Sequence, residues 1–130
     1  LIYIQKSYLN MAKHNDIGQI GELLAKGYLK NKGYRIMAEN YRFEKAEVDI
    51  IAEINHCIVF VEVKTRTSQF ELPEAAVTKQ KRKLLTLAAD NFLYEHHLDA
   101  SIRFDIISII IENSIPHFTH IEDAFFEIDT

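Results

Sequence analysis

One stretch constrains this chain more than any other: Ala46 to Arg66, AEVDIIAEINHCIVFVEVKTR. Its residues alternate, and a period of two belongs to strands, whose successive side chains leave opposite faces. The stretch therefore reads as two strands joined by a loop at Glu53–His56. Val59, Val61 and Val63 take one side of the second strand, and Phe60, Glu62 and Lys64 take the other. On the first strand, Glu47 and Asp49 share one face while Val48 and Ile50 share the opposite one. Pairing the strands with their apolar faces aligned brings Asp49 beside Glu62 and Lys64.

Two carboxylates and an ammonium on one patch of sheet have a chemical use. Neighbouring carboxylates repel, and a hard divalent cation relieves the repulsion. Mg2+ takes one or two carboxylates plus water and phosphate oxygens, and Mn2+ can stand in for it. A lysine two residues on can orient or help deprotonate the attacking water, which gives a site for in-line attack on a phosphodiester. A plainer account also fits: Lys and Glu alternating with Val is the pattern of any half-solvated strand. Asp followed at a distance by Glu-x-Lys, taken alone, favours that plainer account. The chemical account, unlike the plain one, expects a further acid and a basic surface nearby.

At 130 residues the chain is expected to form a single domain over residues 11–130, long enough to bury a core without disulfides. Residues 1–10 precede Met11, a plausible natural start, and are expected to be a weakly ordered extension. Cys57 is the one cysteine, so no internal disulfide can form, and a reducing, cytoplasmic setting fits. No apolar run approaches the ~20 residues of a membrane span. The formal net charge of −4 is awkward for a nucleic-acid partner, but its distribution is uneven. Residues 112–130 hold five acids and no Lys or Arg, so the rest carries 15 basic against 14 acidic groups. Six of the basic residues (Lys64, Arg66, Lys79, Lys81, Arg82 and Lys83) fall between Lys64 and Lys83, directly after the Glu-x-Lys strand.

Asp16 to about Lys32 reads as a helix with an Asp16–Gln19 capping box, an apolar stripe of Ile17, Ile20, Leu24 and Tyr28, and a stop at Gly33. Gly21 allows close approach to a sheet, and Glu22 projects about 140° from Ile17, flanking the stripe. Tyr34–Glu39 reads as a strand and Asn40–Lys45 as a polar turn. Thr67–Pro73 is irregular, either a loop over the site or a plain connector. A second helix runs from about Thr78, its N-cap, to His96. Lys79, Lys81, Arg82 and Lys83 crowd its start, where cations oppose the macrodipole; an anionic partner would offset this. Ser101–Ile111 is a strongly apolar strand, and Asp105 within it fits a salt bridge with Arg103 or the basic helix. Pro116–His120 should break the chain before a short element at Ile121–Ile128. The six histidines show no metal-ligand spacing.

The phrases GELLAKGYL, ENYRF, EVDIIA, FVEVKTR, PEAAVTKQKRKLL and RFDII, in this order, are spread over most of the chain. Together they resemble the restriction-endonuclease-like PD-(D/E)XK nucleases, and more closely the small bacterial YraN family of predicted endonucleases, related to Holliday-junction resolvases. The resemblance implies that Asp49 and Glu62 hold Mg2+ or Mn2+, with the Val63 carbonyl as a possible further ligand. It implies that Lys64 positions the water or stabilises the transition state, that Glu22 is the early acid of junction resolvases, and that Lys81, Arg82 and Arg66 meet the phosphate backbone. Ala46 stands where the family usually has Gly, and Val48 where the PD motif has Pro. Gln80 is followed at four residues by Leu84, so the Gln-x-x-x-Tyr element of exonuclease relatives is not completed.

The expectation is an α/β fold: a mixed central sheet of four or five strands flanked by the first helix on one face and the second on the other. The expected function is metal-dependent cleavage of DNA, with branched or junction DNA favoured by resemblance only, and with a homodimer where two cuts are needed. A non-cleaving nucleic-acid-binding module on the same fold is the alternative; a protein-interaction domain with merely superficial acids is a third reading.

Overall fold

A computed structural model of the chain describes residues 17–67 and 77–125. The extension at 1–10, the Asp16 cap, most of the Thr67–Pro73 segment and the end of the 121–128 element lie outside them. The elements are α1 (Ile17–Asn31), β1 (Arg35–Phe43), β2 (Ala46–Ile54), β3 (Cys57–Arg66), α2 (Lys79–Glu95), β4 (Ser101–Glu112) and β5 (Ile115–Phe125). The strands form one sheet in the order β1-β2-β3-β4-β5. Three neighbouring pairs are antiparallel; β3 and β4 run parallel, with α2 in the crossover that parallel pairing requires. This is the mixed α/β sheet expected of a restriction-endonuclease-like fold.

Each helix covers its own face. α1 buries Ile20, Leu24, Ala25 and Leu29 against Ile50, Val59, Val61, Ile107 and Ile109. α2 buries Leu85, Ala88, Ala89 and Phe92 against Val48, Ile51, Phe60, Phe104 and Ile106. The i, i+4 spacing of both apolar sets explains why these segments are helices packed on a sheet. α1 stops as the sequence demands: Gly33 takes φ 92°, its N–H bonds the Lys30 carbonyl at 3.0 Å, and the Tyr34 N–H bonds the Leu29 carbonyl at 3.0 Å. α2 starts at the expected cap, where the Thr78 side chain accepts the Lys81 N–H at 3.2 Å.

Two strands differ from expectation. β1 continues through Asn40–Phe43, where a polar turn was expected, and only Glu44 and Lys45 turn the chain. The register shifts between Ile36 and Ala38, and Asn40 takes φ 50°. Such irregularities carry side chains across the sheet, so the alternation read from residues 34–39 does not persist. β5 runs unbroken through Pro116, where a break was expected. It is an edge strand, where a residue without an N–H is tolerated. Asn113 and Ser114, both at positive φ, make the two-residue turn that feeds it from β4.

Gly21 marks the closest approach of α1 to the sheet. A Cβ placed there would overlap the Thr65 hydroxyl and crowd the Thr65 Cβ at 2.8 Å. Gly21→Ala is therefore expected to cost about 1–3 kcal/mol despite the better helix propensity of alanine. Urea denaturation checks this, and Thr65→Gly in the same chain should recover much of the loss.

Candidate functional site

The site grows out of an irregularity in β2. Val48 packs in the α2-side core and Ile50 in the α1-side core, whereas simple alternation put them on one face. Regular pairing of β2 with β3 ends at Ile50–Val61. One residue earlier, Asp49 bonds β3 through its side chain: Oδ2 accepts the Val63 N–H at 2.8 Å. The carboxylate is thereby fixed at the place where the hairpin opens.

Glu62 comes to the same place from β3. It follows Phe60 on the α2-side face and is 5% exposed. Burial drives its carboxyl up to about 7, and the neighbouring Asp49 charge adds to the rise, against the opposing pull of Lys81. Burial also raises Asp49, opposed by the bond from the Val63 N–H. The two acids thus sit together on one side of the sheet, as the sequence required, although the β2 alternation that led there is broken.

Lys81 reaches down from the first turn of α2 and ion-pairs with Oε2 of Glu62. Its assigned role was a phosphate contact; in this structure its ammonium faces the acid pair. Oε1 of Glu62 is buried with no donor group against it among the described residues, and the Asp49 and Glu62 carboxyls lie within hydrogen-bond reach of each other. Beside the pair a cavity of about 340 Å³ opens, lined by Lys45, Ala46, Glu47, Asp49, Thr78, Gln80, Lys81, Leu84 and Leu85. From the sequence Thr78 was read as a helix cap and Gln80 as the start of an uncompleted Gln-x-x-x-Tyr element, and Lys45 only as part of a polar turn.

The other candidates lie around this centre. Lys64 is exposed, two residues beyond Glu62, and strand alternation puts it on the same side. Arg66 ends β3 and is half-buried. Arg82 is half-buried in the first turn of α2, with its Nε enclosed. Glu22 is half-buried on α1, which covers the opposite face of the sheet. It follows Gly21, which lies against Thr65, three residues past Glu62. Among the described residues no three His, Cys, Asp or Glu side chains gather closely enough to hold a metal ion. The described residues thus bring Asp49 and Glu62 together, while Glu22 belongs to the helix on the other face.

That pair suits a hard divalent ion. Both donors are carboxylate oxygens, one of them buried with no donor group against it among the described residues, and Mg2+ needs only one or two carboxylates when water and phosphate supply the rest. Asp49 and Glu62 would hold it.

A second buried acid behaves differently. The Asp105 side chain is 0% exposed and is fully engaged. It accepts from Arg103 Nε and Nη2, each at 2.8 Å, from the Asp123 N–H at 3.0 Å, and bonds His120 Nε2 at 2.7 Å. Burial pushes its carboxyl up, but these bonds outweigh burial and hold it below the usual aspartate range. The expected ion pair with Arg103 is present, and Arg103 also bonds Tyr34 Oη at 2.7 Å. This network ties β5 to β4 and leaves no carboxylate oxygen for other chemistry.

Comparison with known proteins adds family but no activity. Residues 21–109 match the family described as "Uncharacterised protein family UPF0102". A UPF0102 protein of Flavobacterium psychrophilum, FP2501, is 44% identical over 117 residues, covering 89% of this chain and 98% of that protein. A UPF0102 protein of Geobacter metallireducens is 43% identical over 118 residues, covering 88% and 97%. A solved structure described as "Crystal structure of SSO0001" is 19% identical with a TM-score of 0.39, covering 85% of this chain and 52% of that one. That likeness is too loose to bear on function.

Proposed function

This chain belongs to the UPF0102 family, and for it we propose a divalent-metal-dependent endonuclease of the PD-(D/E)XK group that hydrolyses DNA phosphodiesters. One observation carries the reading. Two carboxylates from different strands meet on one side of the sheet, and one oxygen of the pair is buried with no donor group against it among the described residues. Burying like charges together is costly unless a proton or a cation neutralises them. Pure packing would have little use for that arrangement.

The residues divide the work as follows. Asp49 and Glu62 would hold Mg2+ or Mn2+, which would neutralise their charge and supply Lewis-acid chemistry. Lys64, exposed beside the pair, orients the attacking water and faces the charge that develops on the phosphate. Lys81, Arg82 and Arg66 bear on the phosphate backbone, and the α2 N-terminus contributes its positive dipole end. Glu22 acts from the α1 side on the ordering of the site. Branched DNA is the substrate proposed, and a symmetric dimer would supply the two cuts that a junction needs. A cytoplasmic setting suits this work; among the described residues no helix is long and apolar enough to cross a membrane.

The Lys81–Glu62 ion pair also suits a second reading, a nucleic-acid-binding module that does not cut. Cleavage assays on junction, flap, duplex and single-stranded DNA with Mg2+ or Mn2+ separate the two. Lys64→Ala is expected to lower cleavage by a factor of about 10²–10³ while DNA affinity stays within a few-fold. Absence of metal-dependent cutting by the unaltered chain on every substrate, with salt-dependent binding retained, would establish the binding module instead.

A further inference from the structure

We propose that Lys81 is a resident counter-ion of the acid pair, displaced when a divalent metal binds, and that its freed ammonium then passes to a substrate phosphate. Metal and nucleic acid would thereby assist each other's binding. The inference rests on the nuclease reading and adds a coupling to it.

The geometry supports each step. Lys81 Nζ contacts Oε2 of Glu62, so a cation already sits on the carboxylate that the metal would share. A divalent ion on the other oxygen, Oε1, would lie close to that ammonium, and a +2 and a +1 charge repel about twice as strongly as two carboxylates at the same separation. Lys81 is built to leave. Its side chain is 41% exposed while that of Glu62 is 5% exposed, so the amine can regain water and the carboxylate cannot. Its backbone N–H is held by the Thr78 cap, so only the flexible four-carbon stem has to move. The adjoining cavity, with Lys45, Thr78 and Gln80 on its wall, gives the ammonium room without unpacking the core. A phosphate approaching this wall meets Lys45, Thr78, Gln80 and the start of a helix as well as the acids Glu47 and Asp49, and it competes with Glu62 for the amine. Whatever draws Lys81 away from Glu62 makes metal binding easier. By linkage, metal binding makes Lys81 available to phosphate by the same factor.

The test is a metal titration on the full chain at pH 8.5, with Mn2+ followed by electron paramagnetic resonance. Lys81→Gln, which stays polar and removes the charge, is expected to bind Mn2+ about three- to fivefold more tightly than the unaltered chain, the scale of a half-exposed ion pair. Lys81→Arg, which keeps the charge, should stay within about twofold, and Glu62→Gln should lose the site. Affinity for a short DNA duplex is then measured in EDTA and in Ca2+. Ca2+ should tighten DNA binding by the unaltered chain at least about fivefold, and by Lys81→Gln by less than half that factor. If Lys81→Gln binds Mn2+ no more tightly while Glu62→Gln loses it, the displacement idea fails and the metal site stands. If the unaltered chain binds no Mn2+, or Glu62→Gln binds it equally well, both fail together.

Discussion

Glu62→Gln is expected to stabilise the metal-free protein at pH 8 and to abolish its chemistry. The stability effect follows from burial. Glu62 has its carboxyl raised to about 7 in the folded chain, against an ordinary value near 4.5. The folded state therefore keeps a proton that the unfolded state releases as pH rises. The stability associated with that proton is present in full below about pH 4.5 and is lost progressively as pH passes through about 7. The loss is on the order of 3 kcal/mol by pH 8. Glutamine is neutral throughout, so the variant should not show this decline. Mg2+ should restore stability to the unaltered chain at pH 8 and not to the variant, because ligand binding to the folded state alone stabilises it. Thermal unfolding at pH 5.5 and 8, with and without Mg2+, reads all four cases. On the chemical side, the proposed cleavage should fall by a factor on the order of 10³, since Glu62 is one of the two carboxylates proposed to hold the ion. A flat pH profile for the unaltered chain would mean that the carboxylate is better solvated than its position implies.

The second large effect lies on the opposite face. Asp105→Ala is expected to cost about 3–5 kcal/mol, because removing one partner leaves the others buried and unsatisfied. Arg103, His120 and the Asp123 N–H would all lose their acceptor together. Urea denaturation near neutral pH measures it, and a loss below about 1 kcal/mol would show that the network relaxes freely. The same carboxylate sets a separate acid limit. Its folded value is depressed, so the stability it contributes is present above the ordinary aspartate range and is lost as pH falls through that lower value. The two acids thus act in different windows and with opposite signs. Glu62 weakens the fold as pH rises toward neutrality, and Asp105 weakens it only in strong acid.

Much of this could be read from the residues. The helix at Ile17–Asn31 announces itself by stripe and glycine stop, and the helix from Lys79 by its Thr78 cap. The runs at Ala46–Ile54, Cys57–Arg66 and Ser101–Glu112 are strands because their apolar residues are strand-length and β-branched. These are local properties, in which neighbours in sequence determine the outcome. The meeting of Asp49 with Glu62 was expected from aligned apolar faces, but it arises where that alternation breaks, with Val48 and Ile50 on opposite faces. The irregularities were less accessible. The Ile36–Ala38 register shift, Asn40 in the left-handed region and the split of Val48 from Ile50 have no local signature. Pro116 read as a breaker because its tolerance depends on lying at a sheet edge, which the chain around it does not specify.

By itself the sequence determined the two helices, with a stop at Gly33 and a cap at Thr78, and the three central strands, since periodicity and turn chemistry act over a few residues. Only the tertiary structure decided that Lys81 neutralises Glu62, that Glu22 stands on the far face, and that Asp105 is consumed by β5. Each of those depends on which elements meet in space, and the resulting burial, far more than residue type, decides whether a carboxylate keeps a proton, a lysine or a free oxygen.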